Sequence, residues 1–177
     1  QLLQHGLLRG SFIPDRGQRE LRDLTRHRRQ LIGEQNRVAN RIAKTLEDAN
    51  IKLDSVASDV LGTSGRLMIQ SLIRGQAGAE GLADLAKGRL RVKRDQLVPA
   101  LEGKVTEHHQ FMLQMLWGHL EQIERMLAQL DARIAEQMRP FAAQMAQLDA
   151  IPGVDVVTAQ AVIAELGVDM KIFPTDA

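Results

Sequence analysis

The chain has 177 residues, of which 44% are apolar and 25% charged, and it contains no cysteine and no tyrosine. The apolar content excludes a disordered chain, and the lack of cysteine excludes a disulfide scaffold and a thiolate metal site. No run approaches the roughly 18 uncharged apolar residues that a membrane span needs, and no secretory leader opens the chain. We therefore expect a soluble cytoplasmic protein, and because both ends interrupt an element or a turn, we expect the chain to continue beyond them.

The formal net charge of +1 hides two halves of opposite sign. Residues 1–94 hold 18 Lys and Arg against 10 Asp and Glu, a difference of +8, whereas residues 95–177 hold 5 against 12, a difference of −7. A basic stretch attracts polyanions because their condensed counterions are released on binding. The same charges fit a solvated helix face that the acidic half balances, so the charge pattern leaves both interpretations open.

The first long helix is predicted between residues 15 and 50. Apolar residues recur there about every 3.5 positions, which is the coiled-coil period; they are Leu21, Leu24, Leu31, Val38, Ile42 and Ala49. Arg28, Gln35 and Thr45 also fall on this seam. Because charged and amide groups are costly in a dry interface, the helix either pairs imperfectly or uses these positions for register or for a ligand. We favour imperfect pairing.

Residues 52–103 are predicted to form a compact helical insert, since the pattern breaks into short helical pieces that each end in glycine. One segment of this insert is strongly basic, with five cations in eight residues: Lys87, Arg89, Arg91, Lys93 and Arg94. A solvated face is the favoured interpretation, and a nucleic-acid contact is the alternative.

The clearest periodicity lies between residues 106 and 150. One seam repeats every seven residues through Leu113, Leu120, Leu127, Ile134, Phe141 and Leu148, and Leu116, Ile123 and Leu130 form the second seam position. Two unlike seams in one chain predict an antiparallel hairpin of long helices with the insert at its tip. Such a helix is too long for a small domain to cover, so we predict oligomer contacts through Leu113, Leu116, Leu120, Ile123, Leu127, Leu130 and Ile134. Pro140 predicts a kink or a restart.

Residues 148–167 resemble a helix-hairpin-helix element, with a turn at Pro152, Gly153 and Val154 and a second helix from about Val156. Amides at such a turn can bind a phosphate without contacting a base. Here Asp155 stands where the element usually has a second glycine, and its carboxylate would repel a phosphate. A structural turn is therefore favoured over phosphate binding, with Asp155 as the cap of the second helix.

No catalytic motif is present. The five histidines form no pair at metal-binding spacing beside a glutamate, and there is no nucleophile elbow, phosphate-binding glycine loop or CxxC pair. We predict no catalytic residue, no metal ligand and no cofactor in this chain.

The order of the features is one that a known family shares. HGLLRGSFIPDRGQRELRDLTRHRRQLIGEQNRVANRI is followed by SVASDVLGTSGRLMIQSLIRG, by the long heptad helix, and by IPGVDVVTAQAVIAELGVDMKIFPTDA. The chain resembles the middle of the bacterial insertion-sequence transposases of the IS one-ten and IS one-eleven-eleven group, along essentially its whole length. The resemblance implies an upstream RuvC-like nuclease domain with four acidic Mg²⁺ ligands in a DEDD pattern, and a downstream domain with a serine nucleophile. None of these catalytic residues is in this chain.

The resemblance also implies an organisation and a function. Residues 1–14 would end the RuvC-like domain, residues 15–150 would form the coiled-coil region, and residues 151–177 would begin the transposase domain. The protein would recombine DNA as a dimer or tetramer with a guide RNA from the element. Nucleic-acid contacts are expected at Arg16, Arg19, Arg22, Arg26, Arg29, Arg37, Arg41, Lys44, Pro152, Gly153 and Val154. The alternative is a structural coiled-coil adaptor that binds no nucleic acid.

Overall fold

Every regular element in the computed structural model, which describes residues 13–172, is helical. Within that range the α-helices are α1 (Arg16–Asp48), α2 (Thr63–Arg74), α3 (Ala79–Ala83), α4 (Arg94–Ala100), α5 (Glu107–Met138), α6 (Ala142–Asp149) and α7 (Val156–Leu166). Four short 3-10 helices lie at Leu53–Ser55, Gly88–Lys93, Arg139–Phe141 and Met170–Ile172. The predicted all-α fold is confirmed. Most of the predicted segment 1–14 lies outside the described residues.

The described residues form two compact units. The terminal unit contains residues 13–30 and 127–172, and the central unit contains residues 31–126, so α1 and α5 contribute to both. The predicted boundary at residue 151 does not coincide with this division. The reason is that α7 packs against α6 and against the beginning of α1 within the terminal unit.

Local capping explains where α1 begins and ends. The Asp15 carboxylate accepts a hydrogen bond from the Gln18 amide at 2.8 Å, which satisfies a free donor of the first turn. At the other end Asn50 has a φ of +58°, and the Ile51 amide donates to the Leu46 carbonyl at 2.8 Å. A left-handed residue after the last turn is a common way for a helix to end.

In the central unit, α1 and α5 run antiparallel. The Glu34 carboxylate lies 3.2 Å from His119 Nε2, and the Asp48 carboxylate lies 3.0 Å from His109 Nε2. The later α1 residue therefore contacts the earlier α5 residue, as antiparallel helices require. The core is formed by side chains from both helices and the insert, including Val38, Ile42, Met68, Ile69, Leu97, Leu113, Leu120 and Ile123. Backbone hydrogen bonds between residues 52 and 100 and between residues 104 and 49 join the two ends of the insert.

In the terminal unit, α7 covers the apolar side chains of α1 and α5. The buried core of the terminal unit consists of Leu21, Ile134, Met138, Ile163 and Ala164, and Leu24, Phe141, Met145 and Leu148 pack against it. The chain ends α5 at Met138, passes through the 3-10 helix around Pro140 and restarts as α6. The predicted restart at this proline is confirmed. Among the described residues, no helix is both long enough and apolar enough to span a bilayer.

Candidate nucleic-acid interface

Five of the α1 cations assigned to nucleic-acid contact are exposed and form no ion pair among residues 13–172. They are Arg19, Arg29, Arg37, Arg41 and Lys44. The last three follow one another at i, i+4 and i+7, which places them on one side of the helix. That side faces solvent, whereas Val38 and Ile42 turn inward and are fully buried. The structure therefore leaves these charges available to a partner.

The other three α1 cations on the predicted interface already have carboxylate partners. Arg16 Nε is 2.7 Å from Glu20 on the next turn. Arg26 donates two hydrogen bonds to the Glu165 carboxylate, at 2.7 and 2.8 Å, and Arg22 Nε lies 3.1 Å from the same group. Arg22 and Arg26 thus share the single negative charge of Glu165, and their contact with nucleic acid stays a prediction.

Glu165 lies in the last turn of α7, where the backbone carbonyls have no partner within the helix. Arg22 Nη2 donates to the Glu165 carbonyl at 2.7 Å, and Gln18 Nε2 lies 3.4 Å from the Ala164 carbonyl. The Arg26 hydrogen bonds hold the pKa of Glu165 below its ordinary value, against a smaller opposing effect of burial. Cations also favour the negative end of a helix dipole. This part of the basic face therefore caps α7.

Two polar residues of the predicted α1 seam contact α5. Arg28 Nε lies 2.6 Å from the Asp131 carboxylate in the terminal unit. In the central unit, the Gln35 amide donates to Glu124 at 3.4 Å. Both seam positions thus face a polar or charged partner on α5 rather than an apolar one, as imperfect pairing requires.

The predicted hairpin between α6 and α7 forms a tight turn. The Val154 amide donates to the Ile151 carbonyl at 3.0 Å, with Pro152 second and Gly153 third in the turn, and Gly153 has a φ of +88°. Asp155 has an ordinary φ of −89° and caps α7 by accepting from the Thr158 amide at 2.7 Å. This hydrogen bond lowers the pKa of Asp155. The Thr158 amide, a donor that a phosphate would use, is therefore already bound by the Asp155 carboxylate. This favours a structural turn over phosphate binding.

Most of the seam assigned to oligomer contacts is buried inside the single chain. Leu113, Leu116, Leu120, Ile123 and Ile134 are at most 9% exposed, while Leu127 and Leu130 are half-buried. The insert, α1 and α7 supply the cover that the sequence analysis assigned to a second copy. An interface between copies through the five buried side chains would require the chain to open first, and their assignment to oligomer contacts stays a prediction.

Acidic and histidine side chains do not gather into a metal site in the part of the chain that the structure describes. Within residues 13–172, no three such groups lie close enough to hold a metal ion. Several of them have structural partners, among them His109, whose Nε2 is 3.0 Å from Asp48.

One polar cluster of the central unit was not found from the sequence. Arg66 on α2 donates to Glu124 on α5, with Nη1 3.2 Å from Oε2, and its Nε donates to the Leu61 carbonyl at 2.7 Å. Its guanidinium carbon lies 5.6 Å from the centre of the Trp117 ring, within cation–π range. The indole of Trp117 donates to Glu121 at 2.7 Å. Arg66 and Glu124 are 58 residues apart, so no periodicity in the sequence indicates that they are in contact.

Comparisons of the chain with protein-family models, with curated proteins and with solved structures found no match.

Proposed function

We propose that this chain is the central segment of a DNA transposase of the IS one-ten and IS one-eleven-eleven group, and that it binds nucleic acid through the phosphate backbone. The observation that carries the proposal is the set of exposed α1 cations without ion pairs: Arg19, Arg29, Arg37, Arg41 and Lys44. The resemblance in motif order along the chain supplies the family.

The chemistry of this surface supports contact with backbone phosphates. Arginine and lysine neutralise phosphates and release counterions, which gives affinity without reading the sequence. Among the described residues, α1 contains no Phe, Tyr or Trp, and His27 is its one exposed aromatic ring, so phosphate contact is expected to exceed stacking of bases there. Strand cleavage would belong to the acidic Mg²⁺ ligands and the serine that the resemblance places outside this segment.

Assembly into an oligomer is the second part of the proposal. Because five seam residues are buried within the chain, contacts between copies would use other apolar side chains. On α5, Phe111 and Met115 are each 59% exposed and lie one turn apart near the beginning of the helix. They are the side chains of the central unit that we expect at such a contact.

The proposal is tested by fluorescence anisotropy with labelled duplex DNA and labelled RNA over a series of salt concentrations. We expect binding to at least one of them, with log K falling linearly as log[salt] rises and a slope of about −0.9 per phosphate contact on duplex DNA. The alternative, a structural adaptor, predicts no change in anisotropy with either nucleic acid at low salt. Size-exclusion chromatography of the same sample reports the oligomeric state separately.

A further inference from the structure

A second basic surface lies in the central unit, on the 3-10 helix between α3 and α4. Four of its seven residues from 87 to 93 are cations and none is acidic: Lys87, Arg89, Arg91 and Lys93. All four are exposed, and none forms an ion pair among residues 13–172. The next cation, Arg94, differs from them because its Nε lies 2.8 Å from the Asp84 carboxylate.

Each end of this segment makes one hydrogen bond to the rest of the central unit. The Lys87 amide donates to the buried hydroxyl of Ser64 at 2.8 Å. At the other end, the Lys93 ammonium lies 3.2 Å from the Val56 carbonyl, which is a neutral acceptor and leaves the charge uncompensated. The Lys87 backbone and the Lys93 ammonium are therefore held before any ligand arrives, which lowers the entropy lost on binding.

Three of these cations surround one open depression of about 510 Å³, namely Lys87, Arg89 and Lys93. Asp59 is the acidic residue on its rim, and one of its carboxylate oxygens accepts from the Leu61 amide at 2.9 Å. The rim thus carries three positive charges against one negative charge. The first turn of α2 also borders the depression, and its partial positive charge adds to the same field.

Folding does not explain this concentration of charge. Like charges on adjacent turns repel and destabilise the segment that carries them, and here no described carboxylate pairs with the four cations. Val92, between two of them, is 88% exposed, so the segment contributes little apolar burial in return. An uncompensated cationic rim around a depression is suited to a ligand with closely spaced negative charges.

We propose that this depression binds the phosphodiester backbone of a nucleic acid, at a site separate from the exposed cations of α1. The inference rests on the proposed function, which supplies the ligand class. Lys87, Arg89 and Lys93 therefore act as a second phosphate clamp, within the central unit.

The test compares two variants of the full chain that lose the same charge. The depression variant carries Lys87→Gln, Arg89→Gln and Lys93→Gln, and the matched control carries Lys52→Gln, Arg74→Gln and Lys104→Gln, three exposed cations of the same unit without ion pairs. Anisotropy with a duplex DNA and an RNA of about 20 nucleotides is measured against salt. We expect the depression variant to bind at least about tenfold more weakly, with a salt slope smaller by two to three units, and the control to keep the wild-type slope.

Each outcome has a defined meaning. Equal behaviour of the two variants, or an unchanged depression variant, overturns the inference and leaves the proposed function standing. Absence of binding by the wild-type chain overturns both. Lys93→Gln also removes the hydrogen bond to Val56, which could disturb the segment itself. The double variant Lys87→Gln/Arg89→Gln keeps the hydrogen bonds to Ser64 and Val56. Its salt slope should be smaller than that of the wild type by about two units.

Discussion

The carboxylate of Glu165 accepts two parallel hydrogen bonds from the guanidinium of Arg26, at 2.7 and 2.8 Å, across 139 residues of sequence. Arg22 approaches the same carboxylate at 3.1 Å and also donates to the Glu165 carbonyl. The basic face of α1 therefore has two roles. Part of it holds α7 in the terminal unit, and the remainder is exposed to solvent.

The first prediction concerns Glu165→Gln, which removes the negative charge that pairs with Arg22 and Arg26. We expect the terminal unit to lose up to about 1 kcal/mol at neutral pH, since Glu165 is 39% exposed and solvent screens the pair. Because folding lowers the pKa of Glu165, the stabilisation is complete above its ordinary value of 4.5 and disappears as the pH falls through the lower folded-state pKa. Thermal unfolding of both proteins should differ at neutral pH and converge in acid.

The matched control is Glu136→Gln, which removes an exposed carboxylate that pairs with Arg133 three residues away on α5. It should change stability by only a few tenths of a kcal/mol. A difference between wild type and Glu165→Gln that persists unchanged even in strong acid, where Glu165 is protonated in the folded state too, would contradict the ion-pair origin of the effect.

Alanine substitution at two open glycines should have opposite effects. Gly153 has a φ of +88°, so Gly153→Ala should destabilise the turn by about 1 kcal/mol or more through backbone strain alone. Gly118 lies inside α5, and Gly118→Ala should stabilise by about 0.5–1 kcal/mol. At neither position would the added Cβ meet another atom within 4 Å. Denaturant unfolding measures both, and the same sign for the two variants would contradict the assigned backbone conformations.

Leu120 distinguishes an internal seam from an interface between copies. It is completely buried within the chain, so Leu120→Ala should cost about 2–5 kcal/mol and leave the oligomeric state unchanged. The control Val92→Ala, at a side chain 88% exposed in the same unit, should change stability by less than about 0.5 kcal/mol and leave the oligomeric state unchanged. Unfolding and light scattering are measured on both. A Leu120→Ala protein with wild-type stability and a smaller molecular mass would show that the seam joins separate copies.

Replacing Arg66 even by lysine, which keeps the positive charge, should destabilise the central unit. Lysine cannot keep both contacts with Glu124 and the position over Trp117, so Arg66→Lys should lose about 1–2 kcal/mol. Because Trp117 is the single tryptophan, its fluorescence reports this site directly. The control is Arg74→Lys on the same helix, where the side chain is exposed and forms no ion pair among the described residues. Unaltered emission and stability in Arg66→Lys would contradict the cluster.

The sequence predicted what local rules determine. The heptad spacing located α1 and α5, Pro140 predicted the restart, and Asp155 was identified as a helix cap, because each of these depends on neighbouring residues. The partners of Arg22, Arg26 and Arg28 depend on which distant carboxylate the fold brings near. Sequence spacing carries no information about that choice, and for this reason Arg22 and Arg26 were assigned to nucleic acid.

The seam shows the same distinction. Its apolar period correctly predicted burial of Leu113, Leu120 and Ile134, but the period is identical whether the cover comes from the same chain or from another copy. Only the folded arrangement of the insert and α7 identifies the cover as internal.

The most direct measurement is the salt dependence of nucleic-acid binding by a chain that lacks four of the five exposed α1 cations without ion pairs. The variant carries Arg29→Ala, Arg37→Ala, Arg41→Ala and Lys44→Ala, and its control carries Lys52→Ala, Arg74→Ala, Lys104→Ala and Arg125→Ala, with the same loss of charge. We predict a uniform loss of affinity across sequences and a slope on duplex DNA smaller by about one unit for each contact removed, with little change in the control. Wild-type affinity and slope in the α1 variant would contradict the proposed interface.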